Sequence, residues 1–263
     1  MSRKIRADQL AFEQGLAPSR EQARRLIMAG QIILAPRDGA GAPPERVPKP
    51  GHPYAPETRF ALLEPERYVS RGAYKLLTIL EHFHLDVAGM TCLDAGASTG
   101  GFTDCLLQHG AARVYAVDVG TNQLHEKLRA DPRVICREHT NLRTADASLI
   151  PEQVDLIVAD VSFISLTLIL PLCVRWLAPE GQAAVLIKPQ FELGPGETVR
   201  GVVKDPVARQ RAVDKIVTFC RNELGLSCEG VLPAAVKGPK GNQEFMALFR
   251  RDRAEACSKE APA

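Results

Sequence analysis

The segment 94–102, which reads DAGASTGGF, has the residue types of a ligand-binding turn. It follows the apolar residues 90–93 and opens an apolar-periodic stretch, so it predicts a strand, a glycine-rich turn and a helix. A turn with so few side chains lets backbone N–H groups and a helix N-terminus approach a nucleotide-like ligand. The next apolar run, 114–117, ends at Asp118, about 20 residues further on, where a carboxylate can accept hydrogen bonds from ribose hydroxyls.

The spacing of the glycines indicates which ligand this turn suits. Position 98 is Ser, so the dinucleotide pattern G-x-G-x-x-G is not met. The looser pattern D-x-G-x-x-x-G, without a phosphate-binding lysine, suits a ligand with a ribose and an amino acid but no pyrophosphate. S-adenosylmethionine is the candidate cofactor, and an ordinary strand–helix turn is the alternative. The residues expected to contact the cofactor are Asp94, Gly96, Ala97, Ser98, Gly100, Gly101, Phe102, Asp118 and Val119.

Four charged residues occupy positions where an ordinary α/β fold does not need them. Lys75 lies on a predicted helix that begins at residues 71–72, and Asp160 ends the apolar run 156–159. Lys188 ends the run 185–187, and Glu244 opens the last predicted strand. Three of the four therefore fall at the ends of separate strands, as a shared site requires. For each one alone, a surface charge at a strand end is the alternative.

Five phrases, in order along the chain, carry a family resemblance. They are YVSRG at 68–72, KL at 75–76, DVSFISL at 160–166, IKPQFE at 187–192 and GPKGNQE at 238–244. With them, the chain resembles the ribose 2′-O-methyltransferases related to FtsJ. More narrowly, it resembles the TlyA/haemolysin-A family of rRNA methyltransferases. The resemblance implies a catalytic tetrad of Lys75, Asp160, Lys188 and Glu244, and it places Asn141 and Leu142 at the adenine of S-adenosylmethionine.

The chemistry of ribose methylation asks for these residue types. A ribose hydroxyl is a poor nucleophile and must lose its proton as it attacks the sulfonium methyl group. A lysine amine can accept that proton only if its pKa is brought down, which desolvation and a second nearby cation both do. We expect Lys188, behind an apolar strand and near Lys75, to be the base. Asp160 and Glu244 would orient the two amines and balance their charge.

The first 60 or so residues read as a separate basic module. Residues 1–68 carry 11 Lys/Arg against 8 Asp/Glu, which suggests an anionic partner. Residues 6–30 predict two helices, the second opened by Ser19 and Gln22 and closed by Gly30. The sequence of these helices resembles the RNA-binding domain named after ribosomal protein S-four. The alternative is that the basic face of the second helix is only solvated. The residues expected to bind RNA are Arg6, Ser19, Arg20, Arg24, Arg25 and Arg71.

The remaining pattern predicts the elements that must position these groups. We predict strands over 31–34 and 59–63, separated by a proline-rich loop, in a small N-terminal α+β domain over 3–64. After a linker, 65–70, strands over 91–95, 113–118, 134–137, 154–159, 182–187, 227–232 and 244–248 alternate with helices over 72–84, 101–109, 165–177 and 207–224. Such alternation indicates a Rossmann-like α/β methyltransferase domain, 71–250, with a mostly parallel seven-stranded sheet and one antiparallel strand. Residues 251–263 would be a flexible tail.

Composition excludes several classes of protein. Seven scattered cysteines without a C-x-x-C pair indicate reduced thiols rather than a disulfide framework or a metal site. The start lacks the apolar core of a signal peptide. The most hydrophobic run, 163–177, is broken by Pro171 and Arg175 and is too short for a membrane span. We therefore expect a cytoplasmic protein that binds no metal and does not span a membrane. Its expected partners are ribosomal RNA or ribosomal subunits.

Alternative functions are weaker but remain open. An amine methyltransferase would normally carry Asn/Asp-Pro-Pro-Tyr/Phe after the fourth strand, where this chain has Asp160-Val161-Ser162-Phe163. A base-carbon methyltransferase needs a nucleophilic cysteine, and none of the seven ends a predicted strand near the site. A membrane-active haemolysin-like protein would need a span or a basic amphipathic helix. An RNA-binding ribosome-assembly factor is the remaining alternative.

Overall fold

A computed structural model describes residues 4–35, 44–63, 67–194 and 196–251. Internal packing divides the chain into two compact units, Met1–Arg67 and Tyr68–Ala263. Part of the predicted proline-rich loop (36–43), part of the predicted linker (65–66) and most of the predicted tail (252–263) lie outside the described residues. The predicted domain boundaries themselves stay predictions.

The N-terminal unit consists of two helices and two short antiparallel pairs of strands. Its elements are β1 (Ile5–Arg6), α1 (Ala7–Glu13), α2 (Arg20–Met28), β2 (Ile32–Leu34), β3 (Pro53–Tyr54) and β4 (Phe60–Leu62). Strand β1 pairs with β3, and β2 pairs with β4. The predicted cap of α2 is confirmed, because Ser19 Oγ accepts a hydrogen bond from the backbone N–H of Gln22. Leu10, Ile27 and Phe60 are buried between these elements and form part of its core.

The second unit is a seven-stranded sheet covered by helices. Its elements are α3 (Ala73–His82), β5 (Thr91–Ala95), α4 (Gly101–Gln108), β6 (Arg113–Val117), α5 (Glu126–Arg129), β7 (Val134–Arg137), β8 (Val154–Ala159), α6 (Leu166–Val174), β9 (Leu177–Ile187), α7 (Pro189–Glu192), α8 (Pro206–Leu224), β10 (Leu226–Pro233) and β11 (Phe245–Arg251). The strand order is β10-β11-β9-β8-β5-β6-β7, and β11 runs antiparallel to both of its neighbours. The predicted mostly parallel sheet with one antiparallel strand is confirmed.

Burial on both faces explains why the central strands are continuous apolar runs. In β8, Leu156 and Val158 pack in one core with α3 and α4, while Ile157 and Ala159 pack in a second core with α6 and α8. A parallel sheet with helices on both sides buries nearly every residue of its inner strands, so the alternation of polar and apolar residues is lost; in β8 only Asp155 is exposed. Among the described residues, no helix is long and apolar enough to cross a bilayer.

The predicted bounds of α6 and β9 were wrong where the two elements meet. The helix predicted over 165–177 ends at Val174, and the strand predicted to begin at 182 begins at Leu177. The turn between them is held by Trp176, whose C=O accepts a hydrogen bond from Val154 N–H and whose Nε1 donates to the C=O of Ala147. Trp176 and Leu177 extend the apolar pattern of the helix in the sequence, whereas these tertiary hydrogen bonds mark the change from helix to strand.

Candidate active site

The glycine-rich turn leaves the end of β5 and enters α4, as predicted. Asp94 is fully buried, and its Oδ2 accepts a hydrogen bond of 2.7 Å from Thr103 Oγ1. Gly96 has φ of 85°, and a Cβ there would lie 3.1 Å from the C=O of Asp160. Ser98 also has a positive φ, 46°, which is uncommon for a residue with a side chain. The backbone of this turn therefore passes directly beside the end of β8.

Asp118 connects the turn to the end of β6. Its Oδ2 accepts a hydrogen bond from Ser98 N–H at 2.8 Å, and its Oδ1 accepts one from Gly120 N–H at 2.7 Å. Each carboxylate oxygen keeps a second acceptor site after these bonds. The carboxylate is thus oriented by backbone amides while retaining the capacity to accept hydrogen bonds from a ribose.

The loop that follows Asp118 is organised by Glu138, a residue that the sequence analysis did not single out. The carboxylate of Glu138 accepts hydrogen bonds from three consecutive backbone N–H groups, residues 122–124, and from the guanidinium of Arg129. Hydrogen bonds, chiefly from the N–H of Leu124 and the guanidinium of Arg129, lower the pKa of Glu138 to about 2. This loop is therefore held by an ionised carboxylate at every physiological pH.

Two adjoining cavities, of about 590 and about 510 Å³, open at the carboxyl ends of the parallel strands. Their shared wall includes Gly96, Ser98 and Asp160. The predicted cofactor residues that line the first cavity are Asp94, Gly96, Ala97, Ser98, Gly101 and Phe102. Those that line the second are Asp118, Val119, Asn141 and Leu142, together with the shared Gly96 and Ser98.

Gly100 belongs to the turn but lines neither cavity. It has φ of 95° and precedes the first residue of α4. A Cβ at this position would collide with the side chains of Leu128 and Leu124. The glycine is therefore explained by helix entry and by the packing of α5, and a direct cofactor contact from it stays a prediction.

Asp94 provides a test of whether the first cavity suits the predicted cofactor. Its Oδ1 is buried and has no hydrogen-bond partner among the described residues. Burial raises the pKa of Asp94 to about 7, and the nearby Asp160 and Asp118 act in the same direction, while the hydrogen bond from Thr103 opposes them. A buried acceptor without a partner is costly unless a ligand supplies a donor. S-adenosylmethionine carries an ammonium group and ribose hydroxyls, so the residues present fit this cofactor.

The four charged residues identified in the sequence converge at the first cavity. We refer to Lys75, Asp160, Lys188 and Glu244 as the lysine–acid cluster. Lys75 Nζ lies 2.8 Å from Glu244 Oε2 and 3.6 Å from Asp160 Oδ2. Lys188 Nζ lies 2.6 Å from Asp160 Oδ1. Lys75, Lys188 and Glu244 are buried, and each amine is paired with a carboxylate, as burial of charge requires.

The sheet topology explains why residues so far apart in sequence meet. Strands β8, β9 and β11 are neighbours, so Asp160 and Lys188 follow the ends of adjacent parallel strands. Strand β11 is antiparallel to β9, and Phe245 pairs with Ile187, which places Glu244 at the same edge. Gly238 lies where a Cβ would collide with the carboxylate of Glu244, so its lack of a side chain leaves room for the acid.

Two uncharged side chains complete the lysine–acid cluster and were missed in the sequence. Ser162 Oγ accepts a hydrogen bond of 2.6 Å from Lys188 Nζ. Gln190 Nε2 donates one of 3.1 Å to Glu244 Oε1. Both residues lie within phrases that carried the family resemblance, at 160–166 and 187–192, so a closer examination of the uncharged positions in those phrases would have found them.

Glu192, also missed, joins the segments that carry Asp160 and Lys188. Its buried carboxylate accepts hydrogen bonds from the backbone N–H of Leu166 at 2.8 Å and from Ser165 Oγ at 2.5 Å. Lys215 Nζ lies 3.5 Å from the same carboxylate. Glu192 thereby ties the segment after β9 to the start of α6, and so fixes the two loops between which Lys188 and Asp160 pair.

In the N-terminal unit, the predicted RNA-binding arginines lie close to acids. Arg6 donates two hydrogen bonds to Asp8, at 3.0 and 2.9 Å, and Arg20 NH2 lies 3.3 Å from the same carboxylate. Burial acts to raise the pKa of Asp8, but the hydrogen bonds from both arginines outweigh it and lower the pKa. Two guanidinium groups thus share one carboxylate, and a net positive charge remains at the surface.

The other predicted RNA-binding residues lie in different settings. Arg24 and Arg25 are each 3.7 Å from the carboxylate of Glu21. The hydroxyl of Ser19 is engaged as the cap of α2. Arg71 is exposed at the start of the second unit. The structure therefore brings Arg6 and Arg20 together around Asp8, and the RNA contacts of all six residues stay predictions.

Comparison with known proteins assigns the family. Residues 68–251 match the FtsJ-like methyltransferase family, and residues 5–34 match the S4 domain. A protein of Mycobacterium tuberculosis named 16S/23S rRNA (cytidine-2′-O)-methyltransferase TlyA is 44% identical over 261 residues, which are 98% of this chain and 94% of that one. The chain belongs to the TlyA/haemolysin-A family. It is an S-adenosylmethionine-dependent methyltransferase with an N-terminal S4 domain.

Two further relatives of this TlyA/haemolysin-A protein carry the name hemolysin. A protein of Brachyspira hyodysenteriae named Hemolysin A is 36% identical, over 93% of this chain and 99% of that one. A solved structure from Streptococcus thermophilus, titled as a hemolysin, is 42% identical and has a TM-score of 0.70, covering 95% of this chain and 90% of that one. The resemblance noted in the sequence is thus confirmed over nearly the full length.

Proposed function

We propose that this protein methylates a ribose 2′-hydroxyl of ribosomal RNA, with Lys188 as the general base. The observation that carries the proposal is the lysine–acid cluster, in which two buried amines and two carboxylates from four separate elements meet at a cavity. The same cavity is lined by the glycine-rich turn. A proton acceptor and a cofactor site therefore adjoin, as methyl transfer to a weakly acidic hydroxyl requires.

Lys188 is held in a geometry that suits a base. When bound, S-adenosylmethionine supplies an electrophilic methyl group whose bond to sulfur breaks as the methyl is transferred. The amine of Lys188 contacts Asp160 Oδ1 and Ser162 Oγ, both at 2.6 Å. Lys188 Nζ donates to Ser162 Oγ and lines the cavity, so a neutral amine there can present its lone pair to a bound hydroxyl. The lone pair accepts the proton of the 2′-hydroxyl, which ends on Lys188 Nζ.

Lys75 acts on the cluster rather than on the hydroxyl proton. Its amine lies between Glu244 and Asp160 and donates a 2.8 Å hydrogen bond to Glu244. It orients both acids, and through Asp160 it is linked to Lys188. Positioning of this kind, together with removal of the proton, is the protein's share of the catalysis.

Features around the cavity support a nucleotide substrate. Phe163 is 89% exposed at the rim of both cavities, and its ring centroid lies 5.2 Å from that of Phe191. Exposed aromatic rings of this kind stack on unpaired bases. The S4 domain and the name of the M. tuberculosis relative support ribosomal RNA, and a ribosomal substrate would place the protein in the cytoplasm.

The test is to incubate the protein with methyl-labelled S-adenosylmethionine and either separated ribosomal subunits or naked rRNA. A labelled nucleotide that resists alkaline cleavage on its 3′ side identifies a 2′-O-methyl group. Lys188→Arg should abolish the label while leaving cofactor and RNA affinities nearly unchanged, because arginine keeps the charge but does not release its proton near neutral pH. Transfer at near the wild-type rate by Lys188→Arg would exclude Lys188 as the base, and label on a base would contradict 2′-O transfer.

A further inference from the structure

Lys240 is a cation of the first cavity that the lysine–acid cluster does not use. The charged residues that line this cavity are Lys75, Asp94, Asp160, Lys188, Lys240 and Glu244. Lys75 and Lys188 are paired with Asp160 and Glu244, so the cluster carries no net positive charge whether Lys188 is protonated or neutral. Lys240 has no carboxylate within ion-pair distance among the described residues, and its side chain is exposed.

The backbone holds Lys240 in a conformation that lysine rarely adopts. It has φ of 57° and ψ of 14°, in the left-handed region that favours glycine. Non-glycine residues in this region are kept only where the surroundings enforce them, often at functional sites. A glycine at this position would be unstrained, so the lysine is not explained by the turn itself.

The buried Asn242 joins this turn to the segment 201–203, whose Gly201 also lines the cavity. Its Oδ1 accepts a hydrogen bond from Val203 N–H at 3.1 Å, and its Nδ2 donates one of 2.9 Å to the C=O of Gly201. The amine of Lys240 lies against Gly201, since a Cβ built there would be 3.3 Å from Lys240 Nζ. The amine thus lies at the wall of the cavity, beside two loops that Asn242 joins.

The chemistry of the substrate indicates what this amine meets. In RNA the 2′-hydroxyl and the 3′-phosphate are on neighbouring carbons of one ribose, so a hydroxyl delivered to Lys188 brings an anionic phosphodiester into the same cavity. The lysine–acid cluster offers that phosphate no net positive charge. Resting on the function proposed above, we propose that Lys240 binds the phosphodiester on the 3′ side of the methylated nucleotide.

Three variants of one residue, with a matched control, test this site. Lys240→Gln should reduce kcat/KM for RNA about tenfold through KM, because a charge-assisted bond to phosphate is lost. Lys240→Gly should do the same although it relieves the left-handed backbone, which separates lost binding from misfolding. Lys240→Arg should retain most of the affinity. Lys237→Gln, which removes an exposed lysine three positions earlier that does not line the cavity, is the control.

The salt dependence of RNA binding provides a readout that does not depend on turnover. Removing one phosphate contact should reduce the slope of log K against log salt by about 0.7 for single-stranded RNA. Affinity for S-adenosylmethionine should be unchanged in every variant. A Lys240→Gln protein with the same slope and KM as Lys237→Gln would overturn the phosphate site, whereas label on a base in the wild type would overturn the proposed function and leave the slope comparison valid.

Discussion

Replacing Asp94 with asparagine should stabilise the folded protein at neutral pH and weaken its binding of the cofactor. Asp94 is fully buried, and burial raises its pKa to about 7 from the ordinary 3.8. The asparagine side chain would have nearly the same shape and could still accept the hydrogen bond from Thr103, but it cannot ionise. The substitution therefore removes a titrating group with little change in packing.

The direction of the pH dependence of stability follows from the raised pKa of Asp94. Because the folded state holds the Asp94 proton more tightly than the unfolded chain, this contribution to stability is present in full below pH 3.8 and is lost as pH rises through about 7. A difference of about three pH units corresponds to about 4 kcal/mol at 1.36 kcal/mol each. Between pH 5 and pH 8 the wild type should therefore lose about 3 kcal/mol relative to Asp94→Asn.

Urea unfolding of both proteins at several pH values from 5 to 8 measures this difference directly, because other titrating groups contribute equally to both. Thr103→Val provides a second variant for the same unfolding experiment. It removes the hydrogen bond that opposes the effect of burial, so it should raise the pKa of Asp94 further and enlarge the pH-dependent loss. Calorimetry at pH 8 should show Asp94→Asn binding S-adenosylmethionine about tenfold more weakly, since a charged acceptor is lost. Parallel stability curves for the wild type and Asp94→Asn would refute the reasoning.

Three further variants, one of them a double substitution, test other parts of the molecule. Asp118→Ala should weaken the binding of S-adenosylmethionine by about 1.5–3 kcal/mol, because the ribose hydroxyls lose a charged acceptor. Calorimetry measures this difference, and unchanged affinity would remove Asp118 from the site. Glu192→Gln should lower kcat at least tenfold with cofactor affinity retained, because its bonds to Leu166 and Ser165 hold the loops of the cluster; equal losses of kcat and cofactor affinity would indicate a general folding defect. Arg20→Ala with Arg24→Ala should reduce the slope of log K for RNA binding against log salt concentration, because fewer counterions are released. An unchanged slope would mean that these arginines of α2 do not contact RNA.

The sequence by itself determined much of the second unit. The strands β5, β7 and β8 begin and end where predicted, because a parallel strand buried on both faces is an apolar run bounded by polar residues. Asp94, Asp118 and Asp160 were identifiable for the same reason, since each interrupts or ends such a run. Asp160, Lys188 and Glu244 could be selected as candidates because their types and strand-end positions are local properties of the chain, whereas Lys75 was selected from its place on the helix that begins at residues 71–72.

Only the tertiary structure decided which of these residues pair. Lys75 and Glu244 are 169 positions apart, and they meet because β11 runs antiparallel to β9 and α3 packs on the same face. Arg6 and Arg20 converge on Asp8 although Arg20 is 12 positions away from it in the sequence. Periodicity reports which face of one element is buried, whereas a hydrogen bond or an ion pair depends on how two elements are placed, and that placement is determined by the order of the strands and by packing of the core.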